Sequence, residues 1–458
     1  MNGNDTICAL ATAPGGALGI IRISGEHSLE ILSRIFTKDL TDARPNTIHY
    51  GHILAPECDA VLPHHTEVID EVLVSVFRAP HSYTGEDSAE ISCHGSRYIL
   101  KKVLELLVQN GCRIAHPGEY TMRAYLNGKM DLSQAEAVAD LIASTNQATH
   151  QMAMSQLRGG ISSELSRLRE HLLKLTSLLE LELDFSDHED IEFADRKELK
   201  DLANKINKHI TQLAHSFEIG QAIKQGIPVA IVGKTNVGKS TLLNALLKDE
   251  RAIVSDIHGT TRDTIEDTID INGVTFRFID TAGIRQTSDV IEKIGIGRTY
   301  AAIEKARIVL WVVDEKPSQE ELNKMRLSCE NKKLIVIRNK IDKAENKAFA
   351  LVKIPLIEIS AKHGNHLADL EQAIYQSADI SSLSDSEVIV TNARHYDALT
   401  RAADHLQRVV KGLQTQLSGD LLAEDLRLTL DILSEITGGQ ITPNEVLGNI
   451  FKNFCVGK

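Results

Sequence analysis

The stretch Val229-Ala-Ile-Val-Gly-Lys-Thr-Asn-Val-Gly-Lys-Ser-Thr241 constrains this chain more than any other. The apolar run Val229 to Val232 predicts a buried parallel strand. Gly233 to Ser240 fits G-x-x-x-x-G-K-[ST], and Thr241 to Leu247 has the pattern of a helix. Strand, glycine-rich loop and helix in that order make a phosphate cradle. Gly233 and Gly238 let successive N–H groups turn inward, and the helix N-terminus adds partial positive charge. Lys239 can reach the outer phosphates, and Ser240 can ligate Mg²⁺.

A chain of 458 residues is too long for one ordinary core, so several domains are expected. The net charge of −13 argues against non-specific binding of polyanions and leaves room for a local basic face. No apolar run is long enough to cross a membrane, and the start of the chain has no secretory pattern. The six cysteines are scattered with no C-x-x-C pair, which predicts reduced thiols and a cytoplasmic location.

Residues 1–118 read as α/β. Ile7 to Ala11, Gly19 to Ile23 and Val68 to Val76 have strand character, and Tyr98 to Leu107 has helical spacing. From Glu119 to about Gln225 the pattern is helical. Leu132, Ala135, Val138, Ala139 and Ile142 make one stripe; Leu165, Leu168, Leu172, Leu175, Leu179 and Leu183 make another. Gly159-Gly160 separates them, and Ser186 to Asp190 reads as a solvated acidic cap. Residues 226–378 alternate strand and helix, which predicts a parallel sheet with crossover helices. Its strands are expected at Val229–Val232, Thr275–Ile279, Ile308–Val313, Leu334–Ile337 and Leu356–Ile359. Ser382 to Ser386 is a polar linker. Residues 379–458 are helical again, with Leu399, Leu406, Val410, Leu413, Leu417, Leu426, Leu430 and Leu433 in phase. The expected architecture is α/β plus α: an N-terminal α/β domain (1–118), a helical domain in two pieces (119–225 and 379–458), and an inserted Ras-like P-loop module (226–378).

The central module carries further marks of a guanine-nucleotide site. In Asn339-Lys340-Ile341-Asp342, the Asp342 carboxylate can accept from the ring N–H and the exocyclic amine of guanine together. Adenine has no such donor pair. Ser360-Ala361-Lys362 can back the base edge. Asp280-Thr281-Ala282-Gly283 can hold Mg²⁺ through water and contact the γ-phosphate, and Thr261 in Gly259-Thr260-Thr261-Arg262-Asp263 can complete the Mg²⁺ shell. Where Ras-like enzymes carry a water-orienting glutamine, this chain has Ile284, and no arginine finger is evident.

The motifs GKTNVGKS, GTTRD, DTAG, NKID and SAK, with helical flanks, an N-terminal T-G-E-D-x-x-E…H-G segment and a final Phe454-Cys-Val-Gly-Lys458, resemble the MnmE (TrmE) family of tRNA-modification GTPases along essentially the whole chain. The resemblance implies a potassium-activated GTPase. Asn236, Ser255, Ile257 and Thr260 would hold K⁺. Asn236, Val237, Gly238, Lys239, Ser240 and Thr241 would hold GTP, together with Asp256, His258 and Gly259 beside the ion ligands. Glu292 would be the catalytic carboxylate. It further implies a folate-binding dimerisation domain, in which Arg22, Glu90, Lys129 and Lys458 contact a 5,10-methylene or 5-formyl tetrahydrofolate. The implied assembly is a homodimer, joined in a heterotetramer by an MnmG (GidA) partner that uses FAD and NADH. The implied reaction installs an aminomethyl or carboxymethylaminomethyl group at C5 of the wobble uridine of certain tRNAs. A different reading of the same module is a regulatory GTP switch that modifies nothing. Cys455 stays outside the catalytic set, since a structural thiol explains it equally well.

Overall fold

A computed structural model describes the chain apart from residues 1–4, 57–65, 185–195, 248–266, 280–299, 344–353, 380–387, 416, 440–443, 453, 455–456 and 458. The expected acidic cap at 186–190 and the linker at 382–386 lie outside the described residues. Contacts group the rest into two units. One comprises Met1–Ala143, Ala153–Asn207 and Arg401–Lys458; the other comprises Ser144–Met152 and Lys208–Thr400.

The first unit begins with β1 (Ile7–Leu10), β2 (Leu18–Ser24), α1 (Ser28–Ser33), β3 (Thr47–Pro56), β4 (Thr66–Phe77), β5 (Ser88–His94), α2 (Arg97–Gln109) and β6 (Arg113–Ile114). The strands form one sheet in the order β3-β4-β5-β2-β1-β6, antiparallel throughout except for β1 beside β6. Alternation puts Ile21, Ile23, Val72, Val74, Val76 and Ile91 on one face, where they are buried. Helix α2 covers that face with Leu100, Val103, Leu106 and Leu107. Each such side chain contributes roughly 1.5–3 kcal/mol of burial.

Next come α3 (Glu119–Leu126), α4 (Leu132–Ala143), α5 (Gln147–Leu157), α6 (Gly160–Asp184) and α7 (Arg196–Gln225). The Gly159-Gly160 break lies between α5 and α6, with Gly159 at φ 83°. Leu165, Leu168, Leu172, Leu175 and Leu179 are all buried along α6. The α4 stripe is shorter than its spacing predicts: Leu132 and Ala135 are buried, but Ile142 is 43% exposed.

The second unit holds β7 (Ile227–Val232), α8 (Lys239–Leu247), β8 (Asp267–Ile271), β9 (Val274–Phe278), β10 (Ile308–Val313), α9 (Gln319–Ser328), β11 (Lys333–Arg338), β12 (Leu356–Glu358) and α10 (Leu367–Ser377). Its sheet runs β12-β11-β10-β7-β9-β8. The five expected strands pair in parallel, and a sixth, β8, which the expectation lacks, adds an antiparallel edge beside β9. The cause is local: Asn272 (φ 53°) and Gly273 (φ 78°) make a two-residue turn whose backbone twist suits a hairpin. The start of α5 and the residue before it hold this hairpin. Ala148 N donates to Gly273 O at 2.9 Å, and Asn146 Nδ2 donates to Thr275 Oγ1 at 2.8 Å.

The chain closes with α11 (Ala393–Gln414), α12 (Gly419–Thr437) and α13 (Asn444–Phe451). Leu399, Leu406, Val410, Leu413, Leu426 and Leu433 are buried, and α12 packs along α6. Leu417 falls between α11 and α12 and is 41% exposed, so it leaves the predicted stripe. Within the first unit, Gly118 before α3 is buried, and a Cβ there would sit 2.9 Å from Phe451 O. The Pro117-Gly118 turn is thus a packed contact with α13. Among the described residues, no helix is long and apolar enough to cross a membrane.

Candidate functional site

The phosphate loop is shaped by close approach. A Cβ at Gly233 (φ 151°) would lie 2.3 Å from Val312 O, and one at Gly238 (φ 99°) would lie 2.3 Å from Asn339 Nδ2. Neither position accepts a side chain without moving its neighbour. Asn236 between them is left-handed at φ 62°, a conformation asparagine tolerates better than most residues. The loop runs straight into α8, where Leu242 N donates to Gly238 O at 2.9 Å. Lys239 Nζ donates to the carbonyls of Gly233 and Lys234, each at 2.7 Å, which holds the ammonium against the loop. Burial pulls that ammonium below the usual lysine range. Ser240 is half-buried and Thr241 exposed at the start of α8. Lys234 pairs with Glu321 Oε1 at 2.7 Å. The same Glu321 completes the capping box of α9, accepting from Ser318 N at 3.0 Å.

The Asn339–Asp342 and Ser360–Lys362 segments meet the phosphate loop through one buried side chain. Asn339 Nδ2 donates to Val237 O at 2.9 Å, and its Oδ1 accepts from Ala361 N at 3.0 Å and from Lys340 N at 2.8 Å. Three loops, far apart in sequence, are thereby fixed to one another. Lys340 is left-handed at φ 63° and reaches Asp314 Oδ2 at 2.8 Å. Ser360 Oγ donates to Asp342 Oδ1 at 2.7 Å. That hydroxyl holds the Asp342 carboxyl below the usual range, with smaller help from His363 and Lys362. The carboxylate therefore stays ionised at neutral pH, as an acceptor for guanine requires. Lys362 is exposed beside it.

The remaining predicted nucleotide and ion residues lie outside the described residues: Ser255, Asp256, Ile257, His258, Gly259, Thr260, Thr261, Asp280, Thr281, Ala282, Gly283 and Glu292. The strand that precedes Asp280 runs beside β7, which leads into the phosphate loop, and Ile279 N donates to Val229 O at 3.0 Å.

In the first unit, Arg22 and Glu90 stand directly opposite each other on β2 and β5. Arg22 Nε and Nη2 both donate to Glu90 Oε1, at 3.0 and 2.6 Å. They project from the face away from α2, in one row with Ser75 and Ile48. The guanidinium carbon lies 5.6 Å from the ring centres of both Tyr83 and Tyr120. Arg22 Nη1 also donates to Gly457 O at 3.2 Å, which brings the C-terminal tail to this pair. Lys458 itself lies outside the described residues. Lys129 is exposed, and its Nζ donates to Pro80 O at 2.8 Å, on the loop that carries Tyr83.

A buried ion network in the same unit is one that sequence patterns do not reveal. Glu119 is 2% exposed and accepts from Arg113 Nη2 at 2.6 Å, His116 N at 2.8 Å and Arg123 Nη2 at 3.1 Å. Arg123, also buried, reaches Asp5 at 2.6 Å and Glu86 at 3.2 Å. The T-G-E-D segment proves to be part of this scaffold. Thr84 Oγ1 shares a hydrogen bond with Ser24 Oγ, Glu86 takes Arg123, and Asp87 takes Arg78. The spacing of Glu119 and Arg123, one helical turn, is the only signal, and such pairs are ordinarily solvated.

The comparisons agree along the chain. A family model described as the GTP-binding protein TrmE N-terminus matches residues 6–129, and one described as the MnmE helical domain matches residues 132–455. The chain is 55% identical, over an alignment of 498 residues covering 100% of both chains, to the tRNA modification GTPase MnmE of Phocaeicola vulgatus. It is 54% identical over 473 residues, 99% of both chains, to the tRNA modification GTPase MnmE of Bacteroides thetaiotaomicron. Among solved structures, the G domain of the T. maritima FeoB iron transporter is similar at 28% identity and a TM-score of 0.25, covering 33% of this chain and 98% of that one. Full-length identity at this level, joined to the two domain matches, places the chain in the MnmE family.

Proposed function

We propose that this chain is a potassium-dependent GTPase that acts with an FAD-containing MnmG-type partner to install an aminomethyl or carboxymethylaminomethyl group at C5 of the tRNA wobble uridine. The observation that carries the nucleotide half is the Asn339 strut. It ties the phosphate loop at Val237 to the Ala361 backbone, so phosphates seated over Gly233 to Ser240 bring a base to Asp342. The relatives named tRNA modification GTPase support a role in tRNA modification.

In this reading, the loop N–H groups and Lys239 take the phosphates, and Ser240 with Thr261 holds Mg²⁺. The K⁺ ligand set is an amide oxygen at Asn236 with backbone and side-chain oxygens at Ser255, Ile257 and Thr260, the oxygen chemistry such an ion takes. When bound, the two cations would supply positive charge beside the phosphates. Asp280 and Gly283 address the metal water and the γ-phosphate. Glu292 accepts a hydrogen bond from the attacking water, directly or through a second water, because Ile284 has no polar group to do so. Asn236→Ala is expected to abolish the difference between hydrolysis in KCl and in NaCl. A surviving K⁺ advantage would remove Asn236 from the ion site.

The first unit is proposed to hold a tetrahydrofolate derivative in a homodimer. Both bonds from Arg22 fall on Glu90 Oε1, and Oε2 has no partner among the described residues. That leaves an acceptor for the amidine-like edge of a pterin. Lys129 and Lys458 would meet the negative glutamate tail. The decisive experiment is nucleoside analysis of tRNA from a strain lacking this gene. Loss of the C5-modified wobble uridine, restored by the intact gene, is expected. Unchanged modification would favour a GTP switch without modifying activity.

A further inference from the structure

Arg338 ends β11 directly across from Glu358, which ends β12. It is only 4% exposed, in a strand that otherwise buries Ile335, Val336 and Ile337. Its Nη1 donates to Glu358 Oε1. A buried cation is a poor source of stability, because apolar side chains of like volume usually serve as well or better. What an ion pair across two strand ends does supply is a fixed offset between them.

That offset matters here because both strands run directly into the base-reading loops. Asn339 to Asp342 follow Arg338, and Ile359 to Ala361 follow Glu358. The two loops are laced together just beyond the pair. Ile359 N donates to Arg338 O at 2.8 Å, and Ile341 N donates to Ile359 O at 3.3 Å. Ser360 Oγ then holds the Asp342 carboxylate, and Ala361 N holds Asn339. A slip of β12 against β11 would carry Ser360, and with it Asp342, out of place.

We infer that Arg338 and Glu358 are a positioning pair for base recognition, fixing the Asp342 carboxylate against the Ala361 backbone and so setting the preference for a base that bears an exocyclic amine. Neither side chain is assigned a contact with the nucleotide; both act through Ser360 and Asp342. The inference rests on the guanine-nucleotide reading of this site.

The test compares GDP with IDP, whose base lacks the exocyclic amine, on the full chain. Glu358→Gln and the double variant Arg338→Met/Glu358→Leu are measured beside the unaltered protein, with thermal unfolding in parallel. Both variants are expected to lose about tenfold of the GDP-over-IDP preference, with GDP affinity falling more than IDP affinity because hypoxanthine offers Asp342 only the ring N–H. The double variant removes both charges of this pair, so its unfolding temperature is expected to lie above that of Glu358→Gln while its preference does not recover. A preference unchanged in both variants overturns the inference. So does a preference that recovers together with stability in the double variant, because that is what a purely structural pair would do. If the unaltered chain shows no preference for GDP, the guanine reading itself falls, and that result is distinct from either of the others.

Discussion

Asp342→Asn is expected to lower GTP affinity by about three orders of magnitude and to admit xanthine nucleotides in its place. The carboxylate has two acceptor oxygens for two donors on guanine. Asparagine turns one of them into an amide donor, and donor then faces donor in a site fixed by its neighbours. Ser360 Oγ at 2.7 Å and the Asn339 strut leave the loop little freedom to adapt. Xanthine presents a carbonyl where guanine presents its amine, so the same amide suits it. The comparison of GTP and XTP binding to the variant checks this, and a retained preference for GTP would reject the base-reading role. Because the Ser360 hydroxyl holds the Asp342 carboxyl low, guanine preference in the parent should be flat across neutral pH. It should fail only as the pH drops below the ordinary carboxylate range.

The second large effect is on the fold. Glu119→Ala should destabilise the first unit by about 1–3 kcal/mol, because buried Arg123 and half-buried Arg113 lose a buried carboxylate acceptor while Asp5 and Glu86 remain beside them. Burial pushes the Glu119 carboxyl up, but Arg113, the His116 N–H and Arg123 outweigh it, and the group ends below its usual range. Asp5 is likewise held low, chiefly by its hydrogen bond to Arg113. Both folded values are depressed, so their contribution is present above the unfolded carboxylate range near about pH 4. It is lost as the pH falls through the folded values. The only tryptophan, Trp311, lies in β10 of the other unit, so its fluorescence is the wrong probe. Hydrogen exchange of β1, β2 and β5 at pH 7 and near pH 3.5 is the right one. Equal protection in variant and parent at pH 7 would show that the network contributes nothing.

Much of the nucleotide site is legible in the residues alone. The strand, loop and α8 around Gly233 to Leu247 are contiguous, and their turn glycines and apolar runs are local signals. The five strands expected in the second unit lie within one or two residues of their predicted ends, and β8 is absent from the expectation. The β8–β9 hairpin carries a legible signal, Asn272-Gly273 between two alternating segments, yet the expectation of crossover helices displaces it. The short α4 stripe and the stray Leu417 depart from prediction for another reason. Periodicity says which residues could share a face, but only a packing partner decides how far along that face water is excluded.

By itself, then, the sequence determined most of the elements and the glycine-rich loop between β7 and α8, because these depend on backbone conformation and neighbours a few residues away. Only the tertiary structure decided which charges are buried and with whom. Arg22 meets Glu90 and the Gly457 carbonyl, Glu119 gathers two arginines, Asn339 joins three loops, and Arg338 meets Glu358. A charged residue looks the same in a sequence whether it is solvated or enclosed. The difference lies in the desolvation and the partner that folding imposes on it, and those are set by residues distant along the chain.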